Sequence, residues 1–396
     1  MSENLEVKKI LGNAFLEIAD AIQTGKFGSR VRVGLTTLGS EHGVDNLVKG
    51  AELAARDADY DIVLIGPKCD TSLEVIEINS EDEMHGKMEE LLDSGYIQSC
   101  VTMHYTFPIG VSTVGRVVTP GIGREMFIAT TTGTSATNRT EAMLKNAIYG
   151  VIAAKAMGIQ KPSVGILNVD NARTVERGLK ELIAAGYDLS FGESGRSDGG
   201  NVMRGNDLLM GSVDVMVTDT LTGNILMKMF SSFTTGGSYE ATGFGYGPGI
   251  GFDYERAILI LSRASGVPVV ANAIRYGAML AKGNLKEVAK AEFDKVRAAG
   301  FDTIVKGLTK DTKKSAAAEE ETEVTAPAKE VVTGSVSGID IMDLEYAVKA
   351  LWKQGVYAES GMGCTGPIVM VAEEKLELAI KLLAEAGFLA KEAVPC

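Results

Sequence analysis

One pattern limits what this chain can become: short apolar runs end in polar, glycine-bearing turns, and each turn feeds a segment of helical periodicity. It repeats through most of the first 300 residues. Val31 to Leu35 reads as a strand, and the loop from Thr36 to Gly43 (Thr-Thr-Leu-Gly-Ser-Glu-His-Gly) leads into a helix at 44–57. Ile62–Ile65 reads as a second strand, ahead of a helix at 81–94. Such alternation predicts an α/β fold with a largely parallel sheet layered by helices, because parallel neighbours need a crossover long enough to hold a helix. In sheets of this kind ligands collect at the carboxyl ends of strands, so the strand-to-helix loops are where chemistry is expected.

Three of those loops carry more than turn chemistry. Thr130 to Thr140 follows the apolar Met126–Ala129 and opens a long apolar helix, Ala142 to Met157. Asn138 followed three residues later by Glu141 has the form of a capping box. Hydroxyls at Thr132 and Thr134, backbone at Gly133 and the guanidinium of Arg139 suit an anion at a helix start. A threonine-rich cap with no ligand fits the same residues. Val164–Leu167 reads as a strand ending in Asn168, Val169, Asp170 and Asn171, with a helix at 172–185. Val213–Val217 reads as another, ending in Asp219-Thr220-Leu221-Thr222-Gly223-Asn224 ahead of a helix with Lys228. Asx residues at strand ends are often turn formers only. The second turn, with carboxylate, hydroxyls, glycine and amide in six residues, is richer than a turn needs.

The glycine-dense run Gly243–Gly251 offers no G-x-G-x-x-G register, and no G-x-x-x-x-G-K-[ST] occurs in the chain, so neither a dinucleotide nor an ATP site is expected. It reads as a mobile loop serving as a lid or an interface element. A helix at 4–24, with Ile10, Leu11, Phe15, Ile18 and Ile22 at helical spacing, precedes the first strand, and another at 284–299 follows the alternating region.

Composition changes at Thr309–Thr333, where lysines, an acidic run (Glu319 to Glu321), alanines and one proline appear without an aromatic residue. Such a stretch buries too little to order itself and reads as a disordered linker. The expected organisation is a body at 1–308, a linker at 309–333 and a small C-terminal α/β module at 334–396. The module begins at a cap-like Ser337–Asp340 and continues as a helix with Ile341, Leu344, Val348, Leu351 and Trp352. A strand at Ile368–Val371 and a last helix stopped by Gly387 complete it.

Before that strand stands Gly361-Met362-Gly363-Cys364-Thr365-Gly366-Pro367. A thiol on a glycine-rich bend is open to another molecule's backbone, and thiolates both attack electrophiles and carry acyl groups as thioesters. A small buried hydrophobe in a tight turn is the plainer alternative. Of the remaining cysteines, Cys100 begins an apolar strand and is the second candidate nucleophile, Cys69 follows a Gly-Pro-Lys turn, and Cys396 is the last residue. Four cysteines without a CxxC pair, beside only His42, His85 and His104, predict neither a zinc site nor a disulfide framework. No metal is expected, and His42 and His104 are candidate bases. A net charge of −13 argues against nucleic acid and anionic membranes as partners. With no run of about 18 apolar residues and no signal-like N-terminus, a cytoplasmic protein is expected.

The strand and turn Val164-Gly165-Ile166-Leu167-Asn168, after a buried helix, and the turn Asp219-Thr220-Leu221-Thr222-Gly223-Asn224 carry a resemblance. Over residues 30–240 the body resembles the phosphate acyltransferase family, relatives of phosphotransacetylases with an isocitrate dehydrogenase-like layered sheet. It departs from that family at Thr36–Gly43, where a G-G-D sequence is usual. With its linker and Cys364 module, the whole chain is similar to the family of component C alpha subunits of glycine, sarcosine and betaine reductase complexes. The resemblance implies a role in forming acetyl phosphate. A selenoprotein A delivers a carboxymethyl group as a selenoether, component C converts it to an enzyme-bound acetyl thioester, and inorganic phosphate, the co-substrate, cleaves it. A ketoacyl-synthase-like beta subunit is the implied partner in a hetero-oligomer, and no bound cofactor is implied. Cys364 is then the thioester residue. Thr132, Gly133, Thr134, Arg139, Asn168, Asp219, Thr222, Gly223 and Asn224 are the candidate phosphate site. Direct phosphate attack on an acyl carrier's thioester, or a non-catalytic scaffold subunit, are the competing readings.

Overall fold

The computed structural model describes residues 30–396 except 197–198, 318–323, 340–342, 364–365 and 390–396, together with Gly12, Phe15, Ile18, Ala19 and Ile22. Those five are helical, and the rest of the helix expected at 4–24 lies outside the described residues.

The alternation becomes a twelve-stranded sheet. Its strands are β1 (Arg32–Thr36), β2 (Asp61–Gly66), β3 (Glu74–Glu77), β4 (Ser99–Thr102), β5 (Val111–Val118) and β6 (Glu125–Gly133). They continue with β7 (Ser163–Leu167), β8 (Ser190–Phe191), β9 (Val202–Met203), β10 (Val215–Val217), β11 (Gly247–Gly251) and β12 (Ile258–Ile260). Across the sheet the order is β3-β2-β1-β4-β12-β11-β5-β6-β10-β7-β8, with β9 also on β7. The strands from β3 to β12 pair in parallel, and so do those from β6 to β8. Between these halves β11 and β5 make antiparallel pairs with each other and with their outer neighbours. Three successive reversals leave the two parallel halves running in opposite directions, with a seam at β11, β5 and β6. The largely parallel sheet is therefore as expected, and the reversal is the feature that alternation alone does not reveal.

The helices are α1 (Gly43–Ala55), α2 (Glu81–Asp93), α3 (Arg139–Ala156), α4 (Ala172–Ala184), α5 (Gly205–Met210), α6 (Thr220–Ser232), α7 (Val267–Lys282), α8 (Leu285–Ala298) and α9 (Phe301–Ala317). Helix α1 packs on α7, α3 packs on α8 and against β6 and β10, and α6 lies against β6. Helix α3 buries residues on every side, among them Leu144, Ile148, Val151 and Ile152, as its apolar sequence requires. Two core clusters line the sheet. One gathers Leu35, Leu64, Tyr149, Val215 and Tyr276, and the other Ile65, Cys100, Met126, Leu208, Met227 and Phe230.

The run Gly243–Gly251 is a correction. It is no lid: Gly247–Gly251 is β11, fully buried at the seam. A Cβ at Gly247 would stand 1.7 Å from Val114 O, and one at Gly249 would stand 2.4 Å from the Phe107 ring. The glycines are there because the backbone runs too close to its neighbours for side chains. Val213 and Asp214 also precede β10 rather than open it, and Thr130–Gly133 belong to β6, not to a loop.

The linker boundary shifts as well. Helix α9 runs through residue 308 to Ala317, since a stretch rich in lysine and alanine favours helix. Residues 324–333 are irregular.

The C-terminal module is a three-stranded antiparallel sheet, β13 (Gly334–Ser337), β15 (Gly366–Val371) and β14 (Ala358–Gly363) in that spatial order, with α10 (Leu344–Lys353) and α11 (Leu376–Glu385). Its own cluster joins Val336, Leu344, Leu351, Val369, Ala379 and Leu383. Ser337 ends a strand instead of capping a helix, and Gly361–Gly363 are strand residues, with Gly363 opposite Gly366. Cys364, Thr365 and Cys396, with Asp340 and Ile341, lie outside the described residues.

Candidate functional site in the seam

Helix α6 organises the site because one of its edges is polar along its whole length. Thr220, Asn224 and Lys228 are spaced by four and share that edge. Thr220 Oγ1 meets Thr130 Oγ1 at 3.0 Å, and Asn224 Nδ2 donates to Thr131 O at 2.9 Å. Lys228 Nζ stands 3.9 Å from Glu240 Oε1 and 5.5 Å from the Tyr246 ring centroid. The helix can lie this close only because residue 223 is glycine, where a Cβ would be 1.9 Å from Thr130 O.

Asp219 caps the helix. Its carboxylate accepts from Thr222 N at 3.1 Å and Thr222 Oγ1 at 2.7 Å. Arg139 reaches the same group: Nη2 donates to Asp219 at 3.2 Å while Nη1 donates to Asp170 at 3.2 Å. Arg139, Asp219 and Thr222 are therefore brought together as the sequence suggests, but the guanidinium arrives clamped between two carboxylates. Asn138 accepts from Glu141 N at 3.0 Å and caps α3. Thr132 and Gly133 finish β6, with Gly133 at φ +85°, and Thr134 is exposed, its backbone bonded to Gly110 and Val111. Asn168 is exposed just past β7, its N–H on Met203 O at 2.8 Å.

The sequence gives no sign of the centre of the seam. Glu240, 3% exposed, accepts from Tyr246 OH at 3.1 Å and from Ser265 Oγ at 3.1 Å. Burial first, and then the charge of Glu240, drive the Tyr246 phenol far up, so it stays a donor. Thr131 Oγ1 donates to Tyr246 O at 2.8 Å, which connects this carboxylate to Asn224. The four participants come from residues 228, 240, 246 and 265, and no local motif joins them.

The loop Thr36–Gly43 lies at the carboxyl end of β1, against the segment after β12. Glu41 N donates to Arg263 O at 2.9 Å, and His42 Nε2 is 3.3 Å from Ala264 O. His104, the other candidate base, lines an open pocket of about 470 Å³ with His85, Tyr105 and Arg263, the two imidazoles 6.4 Å apart. Among the described residues no group of His, Cys, Asp and Glu is arranged to hold a metal, and no helix is long and apolar enough to cross a membrane. Cys100 is fully buried, and burial drives its thiol far above the ordinary value. That environment opposes formation of its thiolate. Cys69 is half-buried and raised too, by burial and then by Glu52, Asp45 and Asp70.

Comparison with known proteins places these features. The family model described as "Fatty acid synthesis protein" matches residues 31–370. The glycine/sarcosine/betaine reductase complex component C subunit alpha of Peptoclostridium acidaminophilum is 68% identical over 386 residues, 97% of this chain and all of that one. A phosphate acyltransferase of Thermotoga neapolitana is 27% identical over 229 residues, 50% of this chain and 68% of its own. Among solved structures, a branched-chain phosphotransacylase from Enterococcus faecalis V583 aligns with 63% of this chain and 99% of that one, at 16% identity and a TM-score of 0.45. By a family model spanning most of its length and a relative matched from end to end, the chain belongs to the fatty acid synthesis protein family and to the alpha subunits of component C of glycine/sarcosine/betaine reductase complexes.

Proposed function

We propose that this chain is an acyltransferase-type subunit that forms acetyl phosphate from an acetyl group held on Cys364. The observation that carries the reading is the 68% identity to a component C alpha subunit over that relative's whole length. A phosphate oxygen attacks the thioester carbonyl, the carbon–sulfur bond breaks, and the Cys364 thiolate leaves as the mixed anhydride departs. The acetyl group is formed from the carboxymethyl group that the complex's selenoprotein A delivers, and a beta subunit completes the assembly. The complete burial of Cys100 supports the C-terminal thiol as the acceptor.

Phosphate needs N–H donors and positive charge. The hydroxyls of Thr132 and Thr134 and the exposed side chain of Asn168 offer donors, whereas the N–H groups of Thr134, Asn168, Thr222 and Gly223 and the amide of Asn224 are bonded to Val111, Met203, Asp219 and Thr131 within the chain, and Asp219 holds Thr222 and Arg139 in place. Lys228, with 55% of its side chain exposed and a single carboxylate at 3.9 Å, is a better placed cation than the doubly clamped Arg139.

The test exposes the wild type and Cys364→Ser to acetyl phosphate and maps acetylation by peptide mass. Reversible acetylation of Cys364 alone supports the thioester. Acetyl transfer that persists in Cys364→Ser assigns direct phosphorolysis to the seam and refutes it.

A further inference from the structure

The two strands that lead into the candidate phosphate residues separate just where those residues begin, and one buried amide spans the gap. β6 and β10 pair in parallel only as far as Ala129 and Val217, with a last bond from Thr218 N to Ala129 O at 2.8 Å. Beyond it β6 follows β5 to Gly133, through a register shift between Ser112 and Val114, while the chain after Thr218 turns at Asp219 into α6. Strand ends that diverge open the crevices in which layered sheets bind ligands, but they also lose the ladder that would fix their spacing. Asn146 of α3 fills the split. Its Nδ2 donates to Thr218 O at 2.9 Å, and its Oδ1 accepts from Ser135 Oγ. Ser135 Oγ in turn lies 2.5 Å from Ser112 Oγ of β5. These four residues are fully buried, and so are the apolar neighbours of Asn146 on α3, Leu144, Ala147 and Ile148. An amide in that setting is costly unless both of its ends are bonded, and here each end holds one side of the split.

We propose that Asn146 is a positioning residue for phosphate: it holds the segment Thr132–Thr134 at a fixed distance from the Asp219 turn without touching the ligand. The inference rests on the acetyl phosphate reading given above. Ser135 directly follows Thr134, and Thr218 directly precedes Asp219, so each arm of the amide grips the backbone one residue from a candidate binding group. The same two edges meet again at Arg139, four residues after Ser135, whose guanidinium donates to Asp219 at 3.2 Å. With 43 and 19% of its two side chains exposed, that ion pair is weak and open to exchange with an incoming anion, so it does not set the spacing. The bonds of Asn146, shut away from water, do. Losing either arm lets the Thr132 and Thr134 hydroxyls drift from the start of α6, and a binding group misplaced by an ångström loses most of its effect.

Exchange of labelled inorganic phosphate into acetyl phosphate by the full chain tests this. Acetyl phosphate acetylates Cys364 and frees phosphate, and labelled phosphate then attacks the thioester in the reverse sense. Initial rates are taken against phosphate concentration, well below every melting midpoint, for the wild type, Asn146→Ala and Ser135→Ala. Tyr187→Phe, which also loses a buried hydrogen bond (3.0 Å to Glu292) but lies elsewhere, is the control. Asn146→Ala and Ser135→Ala each raise the KM for phosphate at least about 10-fold and leave kcat within about threefold, the pattern of lost binding without lost chemistry. Combining them is no worse than Asn146→Ala alone, as befits two groups acting through one contact. Tyr187→Phe lowers the melting temperature and leaves KM unchanged. A KM that moves in neither variant, or moves equally in the control, overturns the assignment and leaves the acetyl phosphate reading standing. A wild type without exchange overturns that reading and this inference with it. If Asn146→Ala fails to fold, Ser135→Ala decides alone.

Discussion

Removing the Glu240 carboxylate is the most direct probe of the seam. Its oxygens accept from Tyr246 OH and Ser265 Oγ, both at 3.1 Å, and these two residues are 3% and 1% exposed. Hydrogen bonds to a charged acceptor contribute about 1.5–3 kcal/mol each, and a buried hydroxyl left without a partner carries its own desolvation cost. The ion pair with half-exposed Lys228 adds at most about 1 kcal/mol. Glu240→Ala should therefore lower the unfolding free energy by roughly 3–5 kcal/mol. Glu240→Gln keeps an acceptor for one hydroxyl and should lose about 1–2 kcal/mol. Urea unfolding followed by circular dichroism measures both, and for a chain of this size the alanine variant should melt roughly 4–6 °C lower. In a double-mutant cycle, Ser265→Ala should cost less in the Glu240→Ala background than in the wild type. An alanine variant within about 1 kcal/mol of the wild type, or fully additive effects, would refute the claim that this carboxylate holds the seam together.

Gly223→Ala should destabilise by about 3 kcal/mol or more, because its methyl carbon would overlap Thr130 O and push α6 off β6, whereas Gly307→Ala, with open space around it, should be near neutral; equal melting temperatures would count against the close approach. With iodoacetamide at pH 8, Cys100 should resist modification until the chain unfolds, and Cys69 should react more slowly than a free thiol, both read by peptide mass. Glu292 is buried, which opposes ionisation, but Lys155, Lys295 and Tyr187 hold its carboxyl below the ordinary 4.5. Its contribution is complete above that value and is lost as pH falls through the lowered one, so the stability gap between wild type and Glu292→Gln should narrow below about pH 4.5; a gap independent of pH would contradict it.

Much of the body was legible because strand and helix periodicities sit next to one another in the sequence. β1, β2, β7 and the helices α2, α3, α4 and α8 lie within a residue or three of where apolar spacing puts them. β11 was not legible, since its signal is the absence of side chains, and a strand pressed against Val114 and Phe107 resembles a loop in one dimension. The Asp219 turn could be anticipated as a candidate site from its own six residues, but its link to Arg139 crosses 80 positions and could not. The group around Glu240 could not, because it is assembled across 37 positions (228 to 265) by the packing of α6 on the seam. The glycines before Cys364 suggested a bend, yet Gly361 faces Ile368 in a regular ladder, as a pairing partner across the sheet decides what a glycine does.

The strand order also dictates a timetable for synthesis. β12 lies between β4 and β11, and its Ile258 pairs with Cys100 across 158 positions (258 − 100). As the chain leaves the ribosome, β1, β2 and β4 can assemble early, but the open side of β4 must wait for more than a hundred residues before its neighbour arrives. The intervening segment from β6 to β10 contains all of its own parallel partners and can close first. A nascent chain halted before residue 258 would thus expose an unpaired strand edge, the kind of surface that recruits chaperones or aggregates. Completion of the body late in translation, and slow refolding set by this one distant pairing, follow from where a three-residue strand is inserted.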